Sequence, residues 1–443
     1  MKMIKALLTL GCLLLVSSAM AADNRLTLFE NVRIFDGSGT SITDPRHVLV
    51  RDNLIDTISS EPIQIDPADT VMRIDGAGRT LMPGLIDTHT HLAMGTISQV
   101  RLMTGDNNYA TLLSGQAAGE MLMRGFTSVR DAGGPVFGLK AAIDEGRIPG
   151  PRIWPSGALI SQTSGHGDFR MLGELPRSDG EMHMSERFGY AAIVDGEPLM
   201  LRRVREQLMR GATQVKLMGG GGVTSLYDPL DVNQFTEREI RAAVEAAEDW
   251  GTYVMIHAYT PQSVQRALRA GVKSIEHGQL ADEETIKMMA EHDAWLSIQP
   301  FLGDPDPRLP EGSPRRLKQL QVAEGTDRAI RLAKEHGVRI AWSLDILFNP
   351  AKAEAQGREL VRMTRWFEPE EVLQMATSTN AELLALSGLR NPYPGKLGVV
   401  EEGALADLLL VDGDPVENLD LIAEPHKSFL IIMKDGRIFK NIL

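Results

Sequence analysis

Two histidines, His89 and His91, end an apolar run that begins at Pro83-Gly84. Side chains two positions apart point to the same face of a β-strand, so the two imidazoles can face one point in space. Neutral imidazole is the commonest metal ligand among protein side chains. The spacing therefore predicts part of a metal site at a strand end, although two polar residues closing a strand would have the same pattern.

Residues of metal-binding types also lie in or directly after other apolar runs, namely Lys216, His257, His277 and Asp345. Lysine is almost never fully buried unless it is paired, so Lys216 inside an apolar run is unusual. Burial lowers the pKa of a lysine, and the neutral amine can then react. With carbon dioxide it would form a carbamate that can bridge two metals like a carboxylate. The alternative is a side chain that extends its ammonium to solvent.

Two more residues are candidates for substrate contact or catalysis. His166 lies in the polar stretch 161–168 after a predicted strand, and Tyr259 follows His257 by two positions. The glycine run Gly219–Gly222 follows the strand of Lys216 and has no Lys-Ser/Thr after it, which argues against a phosphate-binding loop. We expect this run to open the site beside Lys216.

The elements that would position these residues are strands alternating with helices. The predicted strands are Met82–His89, Thr127–Asp131, Arg152–Leu159, Gln214–Met218, Tyr253–His257, Lys273–His277, Ala294–Gln299 and Arg339–Leu344. The predicted helices include Glu197–Arg210, Glu237–Trp250, Pro261–Ala270, Asp282–His292 and Gly325–His336. Eight such repeats are typical of an α/β protein with a (β/α)8 TIM-like barrel, whose reactive residues lie at the C-terminal ends of the strands.

Both ends of the chain have a different pattern of short alternating strands with Asp-Gly turns, as at Asp435-Gly436. Neither set is large enough for a good core alone. We therefore expect one small β-sandwich domain from residues 22–82 and 393–443, around a barrel domain at 83–392.

Composition limits the partners and the compartment. The formal charge of the 443-residue chain is −13, which argues against a nucleic-acid partner. Lys2 and Lys5, the apolar run Ala6–Val16 and the small residues around Ala21 predict a signal peptide at 1–21, cleaved near Ala21. The sequence thus predicts export, to a bacterial periplasm, with no transmembrane span. The oligomeric state, including a homo-oligomer, stays open.

Several motifs together resemble one known family. They are Pro83–His91, Gly125–Asp131, Gly150–Arg152, Ser164–Asp168, Val215–Met218, His257, Glu276-His277, Asp345, Gly403–Leu408 and Asp412–Pro415. They resemble the amidohydrolase superfamily, and within it the metal-dependent dipeptidases and carboxypeptidases, which include enzymes like Xaa-Pro dipeptidase, relatives of imidazolonepropionase and the amidase that cleaves ochratoxin.

The resemblance implies two divalent metal ions, for which zinc suits the ligand types. The first would be held by His89, His91, Lys216 and Asp345, and the second by carboxylated Lys216 with His257 and His277. The implied reaction is hydrolysis of a dipeptide or N-acyl amino acid by a metal-bridging hydroxide. Asp345 would be the proton shuttle, with Tyr259 or His166 holding the oxyanion.

Alternatives remain open on the same residues. The family usually has a smaller residue before the last aspartate than Leu344, which makes the pocket shape and the substrate uncertain. A lactonase or phosphotriesterase-like enzyme would share the metal site, and a single-metal deaminase or cyclic-amide hydrolase would share the barrel. A non-enzymatic binding protein should have lost ligands. A substrate carboxylate could be met by Arg130, Arg170 or Arg202.

Overall fold

The computed structural model describes residues 25–39, 41–176, 180–306 and 308–443. The predicted signal peptide, residues 1–21, lies outside the described residues. Within the described ranges the protein has a mixed α/β fold with two sheets of parallel strands and one larger sheet formed by the chain ends. The same ranges contain no helix with the length and apolar character needed to span a bilayer.

The strands of the chain-end sheet are β1 (Leu26–Ile34), β2 (Arg46–Arg51), β3 (Leu54–Ser59), β4 (Val71–Asp75), β5 (Thr80–Pro83), β16 (Leu408–Val411), β17 (Phe429–Lys434) and β18 (Arg437–Asn441). The strands of the two parallel sheets are β6 (Leu85–Thr90), β7 (Phe126–Asp131), β8 (Arg152–Pro155), β9 (Leu159–Ser161), β10 (Ala191–Ile193), β11 (Val215–Met218), β12 (Val254–Ala258), β13 (Ser274–His277), β14 (Trp295–Ile298) and β15 (Ile340–Trp342).

Helices follow most of the parallel strands. They are α1 (Gln99–Thr104), α2 (Asn107–Met123), α3 (Phe137–Asp144), α4 (Met184–Arg187), α5 (Glu197–Met209), α6 (Glu237–Glu248), α7 (Pro261–Arg269), α8 (Glu283–Glu291), α9 (Pro314–Glu335), α10 (Pro350–Glu354), α11 (Gln356–Val361), α12 (Pro369–Gln374), α13 (Asn380–Ala385), α14 (Asp420–Ala423) and α15 (Pro425–Ser428). Local signals fix several starts: Thr236 and Glu239 form a capping box on α6, and Thr260 caps α7 ahead of Pro261.

The chain-end sheet joins strands that are far apart in sequence. Its order is β18-β17-β16-β5-β1-β2-β3, with β4 paired to β1. The turn between β17 and β18 has Asp435 and Gly436 at φ 54° and 66°, as the Asp-Gly signal predicts. Both chain ends therefore contribute to one sheet, whereas the sandwich arrangement and the domain division stay predictions.

The parallel strands form one sheet in the order β6-β7-β8 and another in the order β10-β9-β11-β12-β13-β14-β15. Backbone hydrogen bonds join the two sheets at two places. The Thr213 amide donates to the Pro155 carbonyl and the Asp345 amide to the His89 carbonyl, both at 2.9 Å. A (β/α)8 barrel requires connections of this kind.

Two predicted strands are each divided in the structure. The run Met82–His89 is not one strand, because β5 pairs with the chain-end sheet and β6 with β7. A Cβ at Gly84, between them, would overlap the Thr127 side chain, so the crossing requires glycine. The run Arg152–Leu159 is likewise broken at Gly157, where a φ of 77° interrupts the extended backbone.

The predicted start of the last long helix is also wrong. Helix α9 begins at Pro314 rather than Gly325, because Ser313 caps it and Pro314 occupies its first turn. Its first turns are polar, so the apolar period that marks a buried helix face is absent there.

Candidate functional site

Four histidines from three parallel strands point into one buried space. His89 lies on β6 with His91 just beyond it, His257 lies near the end of β12, and His277 ends β13. The ring centroid of His277 lies 5.1 Å from that of His89 and 4.5 Å from that of His257. The structure therefore brings together histidines that are separated by up to 188 positions in sequence.

Asp345 joins this group from the segment after β15. Its carboxylate lies 3.5 Å from Nε2 of His89 and 3.3 Å from Nε2 of His91. Single ligand atoms of His89, His277 and Asp345 all lie within 4.8 Å of one another, a spacing that could hold a metal ion. The Asp345 side chain is 15% exposed while these histidines are nearly enclosed, so Asp345 faces the open side of the cluster.

Each of the four histidines uses one ring nitrogen to contact a buried oxygen. Nδ1 of His89 lies 2.7 Å from Glu276, and Nδ1 of His91 lies 2.9 Å from the Gly133 carbonyl. Nε2 of His257 lies 3.0 Å from the Gly221 carbonyl, and Nδ1 of His277 lies 2.8 Å from Oε1 of Gln299. Since all four partners are acceptors, each of these nitrogens donates and the opposite nitrogen keeps its lone pair. Such outer partners are typical of metal-binding histidines.

The environment keeps the imidazoles of His89, His257 and His277 neutral. Burial lowers the pKa of His89 to about 3 and that of His277 to about 4, and it holds the pKa of His257 well below its usual value. Burial alone would raise the pKa of Asp345, but the adjacent histidines hold it well below its ordinary value. Neutral imidazoles beside an ionised carboxylate form a donor set that fits a divalent cation such as zinc.

Two members of the cluster have a left-handed backbone that is unusual for residues other than glycine. The φ angle is 79° at His277 and 50° at Asp345. Such conformations cost on the order of 1–3 kcal/mol each and occur most often at functional sites. This strain supports a functional interpretation of the cluster.

Lys216 lies within β11 and is 1% exposed. Its Nζ lies 3.4 Å from Nε2 of His89. Lys216 does not reach solvent, which excludes the alternative interpretation of this residue. Among the described residues, no carboxylate oxygen lies within 4.0 Å of that Nζ, so Lys216 also has no direct ion pair there. Burial lowers the pKa of Lys216 to about 8, which increases the share of neutral amine near pH 8.

His166 and Tyr259 lie at the edge of the same cluster. The His166 ring stacks on the His257 ring at 4.2 Å, and its Nδ1 lies 2.8 Å from Ser225. Tyr259 packs edge-on against His257 at 4.9 Å, and burial holds its pKa well above 10, which keeps its hydroxyl protonated. A Cβ at Gly222 would overlap the His166 ring, so the glycine run admits that side chain.

A cavity of about 550 Å³ opens onto the cluster at His257, Tyr259, His166 and Asp345. Its remaining walls come mainly from the segments after β14 and β15. Apolar side chains of these walls include Phe301, Leu302, Leu309, Val322, Ile346 and Leu347. The size suits a dipeptide-sized molecule, and the lining combines these apolar side chains with polar and charged groups that could orient a bound molecule.

The three arginines considered for a substrate carboxylate do not line this cavity. Arg130 is fully buried and donates to Glu276 at 2.8 Å. Arg170 forms a bidentate pair with Asp168, and Arg202 is exposed on α5. A cation that could meet a substrate carboxylate must therefore be one of the lining residues, which include Arg308 and Lys352.

Sequence reasoning assigned no role to Glu276, which the structure places behind His89. One Glu276 oxygen contacts Nδ1 of His89, and both oxygens accept from Arg130 at 2.8 and 2.9 Å. Burial raises the pKa of Glu276, but Arg130 and His89 outweigh it and keep the carboxylate ionised. The only sequence signal was a charged residue inside an apolar strand.

We expect Glu276→Gln to weaken metal binding by roughly 10- to 100-fold, because the amide no longer fixes the His89 ring as a carboxylate does. Equilibrium titration of the metal-free protein with zinc measures this effect, with exposed Glu283→Gln on α8 as the matched control. A thermal melt identifies variants that fail to fold, since Arg130 loses its partner. A folded Glu276→Gln protein with unchanged zinc affinity would contradict the role of Glu276.

The chain is similar to known proteins of one family. The profile described as Amidohydrolase family matches residues 80–438. Ochratoxinase of Aspergillus niger is 33% identical over 385 residues, which are 82% of this chain and 76% of the relative. A prolidase solved with N-methylphosphonate-L-proline is 33% identical, has a TM-score of 0.85 and is matched over 94% of this chain and 100% of its own. For a Xaa-Pro dipeptidase with bound methionine the identity is 28%, the TM-score 0.80 and the coverage 94% and 100%.

Proposed function

The chain belongs to the amidohydrolase family and is a hydrolase of carbon–nitrogen bonds, and we propose that it uses two zinc ions bridged by a carboxylated Lys216. Its proposed substrates are dipeptides or N-acyl amino acids with apolar groups. The ochratoxinase and prolidase relatives support the amide class, and the apolar side chains in the cavity lining support the apolar groups.

The fold proposal that accompanies this function is a closed (β/α)8 barrel with a small β-sandwich built from the chain ends. Hydrogen bonds between Thr213 and Pro155 and between Asp345 and His89 support closure. In such a barrel the cluster would lie at the C-terminal ends of the strands, where active sites of this architecture occur.

The observation that carries the metal proposal is the environment of Lys216. An amine buried beside Nε2 of His89, with no carboxylate within 4.0 Å in the described ranges, is costly unless it is chemically changed or bound. Addition of carbon dioxide forms a nitrogen–carbon bond, releases one proton and leaves a carbamate anion. That anion would supply the negative charge which the four imidazoles lack.

We propose that His89, His91, Lys216 and Asp345 hold the first ion, and that Lys216, His257 and His277 hold the second. Bound zinc ions would lower the pKa of water towards ~7 and polarise the scissile carbonyl. The six proposed ligands are more than the four donors that one zinc ion usually takes, which supports two ions over one.

The chain's own residues would handle protons and orientation. Asp345 is ionised and open to the cavity, so it can accept a proton at its carboxylate and return it to the leaving nitrogen. Tyr259 stays protonated and can donate a hydrogen bond to a developing oxyanion. His166 lies beside His257 at the mouth of the cavity and can contact the same oxygen.

Hydrolysis of a library of dipeptides and N-acyl amino acids, in the presence of zinc and bicarbonate, tests the proposed function. We expect the highest kcat/KM for substrates with apolar groups on both sides of the amide. Lys216→Ala protein, purified identically, controls for contaminating hydrolases. Hydrolysis of lactones or phosphotriesters without amides, or deamination with one metal per chain, would contradict the proposal.

We also propose export to a bacterial periplasm, on the strength of the predicted signal peptide. Fractionation of the source cells followed by N-terminal sequencing tests it. The expected result is a periplasmic protein that starts near Ala22, and an unprocessed cytoplasmic protein would contradict the proposal.

A further inference from the structure

The charged residues around the cavity are unevenly paired. Besides Asp345, its acidic lining residues are Asp304, Asp306 and Glu359. Each has an arginine partner: Asp304 and Glu359 contact Arg362 at 2.5 and 3.4 Å, and Asp306 contacts Arg308 at 2.6 Å. Each of the three carboxylates is therefore in contact with an arginine, although Asp304 and Glu359 share the single positive charge of Arg362.

Lys352 is a second cation of the cavity lining and lies in α10, seven positions after Asp345. In contrast to Arg308, its Nζ has no carboxylate within 4.0 Å among the described residues. It acts on Asp304 and Asp306 only at longer range, where it helps to lower their pKa values. Among the described residues that line the cavity, Lys352 is thus a positive charge without a carboxylate in close contact.

The position of Lys352 suits a contact with a terminal group of the substrate rather than with the bond that is hydrolysed. Its Nζ lies 5.6 Å from the centre of the Phe301 ring, which lines the same cavity. The Lys352 side chain is partly exposed, whereas the histidines of the cluster are buried. An amino acid with an apolar side chain could contact Phe301 and place its carboxylate at Lys352.

We propose that Lys352 binds the free carboxylate of the substrate's leaving amino acid, which would make the enzyme a carboxypeptidase-type hydrolase specific for C-terminal apolar residues. The inference rests on the proposed function and adds to it the group that selects the substrate. A lysine–carboxylate contact is charge-assisted, so its loss should reduce substrate binding by roughly 10- to 100-fold.

The test compares N-acetyl-L-phenylalanine with its C-terminal amide. Wild-type protein should prefer the free acid, and Lys352→Gln should lose that preference through a roughly 10- to 100-fold higher KM with little change in kcat. Lys352→Glu should favour the amide. Lys287→Gln, on the exposed face of α8, should behave as wild type.

Two outcomes separate this inference from the proposed function. If wild-type protein hydrolyses the acid and Lys352→Gln keeps the same preference, the role of Lys352 is overturned while amide hydrolysis stands. If wild-type protein hydrolyses neither compound, calorimetry with L-phenylalanine and L-phenylalaninamide decides. Binding of the acid that is lost in Lys352→Gln supports the inference, and equal or absent binding in both proteins overturns it.

Discussion

Lys216→Ala should reduce kcat/KM on the best amide substrate on the order of 10³-fold. The change removes the side chain that we propose as the bridge between two ions, and metal assistance is worth several kcal/mol, with ~1.4 kcal/mol for each tenfold change in rate. Steady-state kinetics with excess zinc and bicarbonate measures the loss. Because Lys216 is buried, a thermal melt must first establish that the variant is folded.

Chemical rescue separates the loss of a bridge from general damage. The space left by the Lys216 side chain could admit a short carboxylic acid, so acetate or propionate should partly restore the activity of Lys216→Ala. The exposed Lys287→Ala variant should neither lose activity nor respond to acetate. Near-wild-type activity of folded Lys216→Ala without added acid would contradict the bridging role.

Asp345→Asn should lower kcat by roughly 10²- to 10⁴-fold, the usual contribution of a general acid or base. The amide oxygen can still act as a ligand, so zinc binding should weaken far less than kcat falls. The neighbouring histidines hold the pKa of Asp345 well below its ordinary value, so a fall in wild-type activity at mildly acidic pH should come from the metal-bound water and not from Asp345. Rates and zinc affinity of the variant, measured side by side, check both statements.

Asp306→Asn is the matched control for this change. Asp306 lines the same cavity but pairs with Arg308 instead of contacting the histidines. We expect it to affect KM at most, with kcat near that of wild type. An Asp345→Asn protein that binds zinc normally and retains wild-type kcat would rule out the proton-transfer role.

The sequence predicted the parts of the site that depend on local patterns. His89 and His257 end apolar runs, and the run itself identifies a buried strand whichever residues surround it. Lys216 stood out for the same reason, since a charge inside such a run needs an explanation. These predictions require only that parallel strands present their C-terminal ends to one site.

The contacts of Glu276 behind the histidine cluster depend on backbone geometry that the two-residue alternation of a strand does not predict. In a regular strand Glu276 and His277 would point to opposite faces. The left-handed backbone of His277 ends the alternation, so the Glu276 carboxylate and the His277 ring both lie next to His89. A sequence pattern read at strand spacing therefore finds His277 but not the role of Glu276.

The sequence did not point to Lys352 as the proposed carboxylate-binding residue, because that proposal depends on tertiary contacts. Arg130 was considered because it lies at a strand end, yet its guanidinium points into the polar core at Glu276 and Tyr253. Lys352 lies in a short helix without a motif, and its importance depends on which neighbouring carboxylates already have partners. Such charge balance is visible only once the segments after β14 and β15 lie side by side.

The metal content of each chain tests the central claim most directly. Metal-free wild-type protein, reloaded with zinc in the presence of bicarbonate, should bind about two zinc ions per chain, as a bridged site requires. Lys216→Ala protein treated in the same way should bind fewer, with the second ion regained when propionate is added. Wild-type protein that saturates at one ion per chain, or Lys216→Ala protein that binds two without added acid, would contradict the bridged centre.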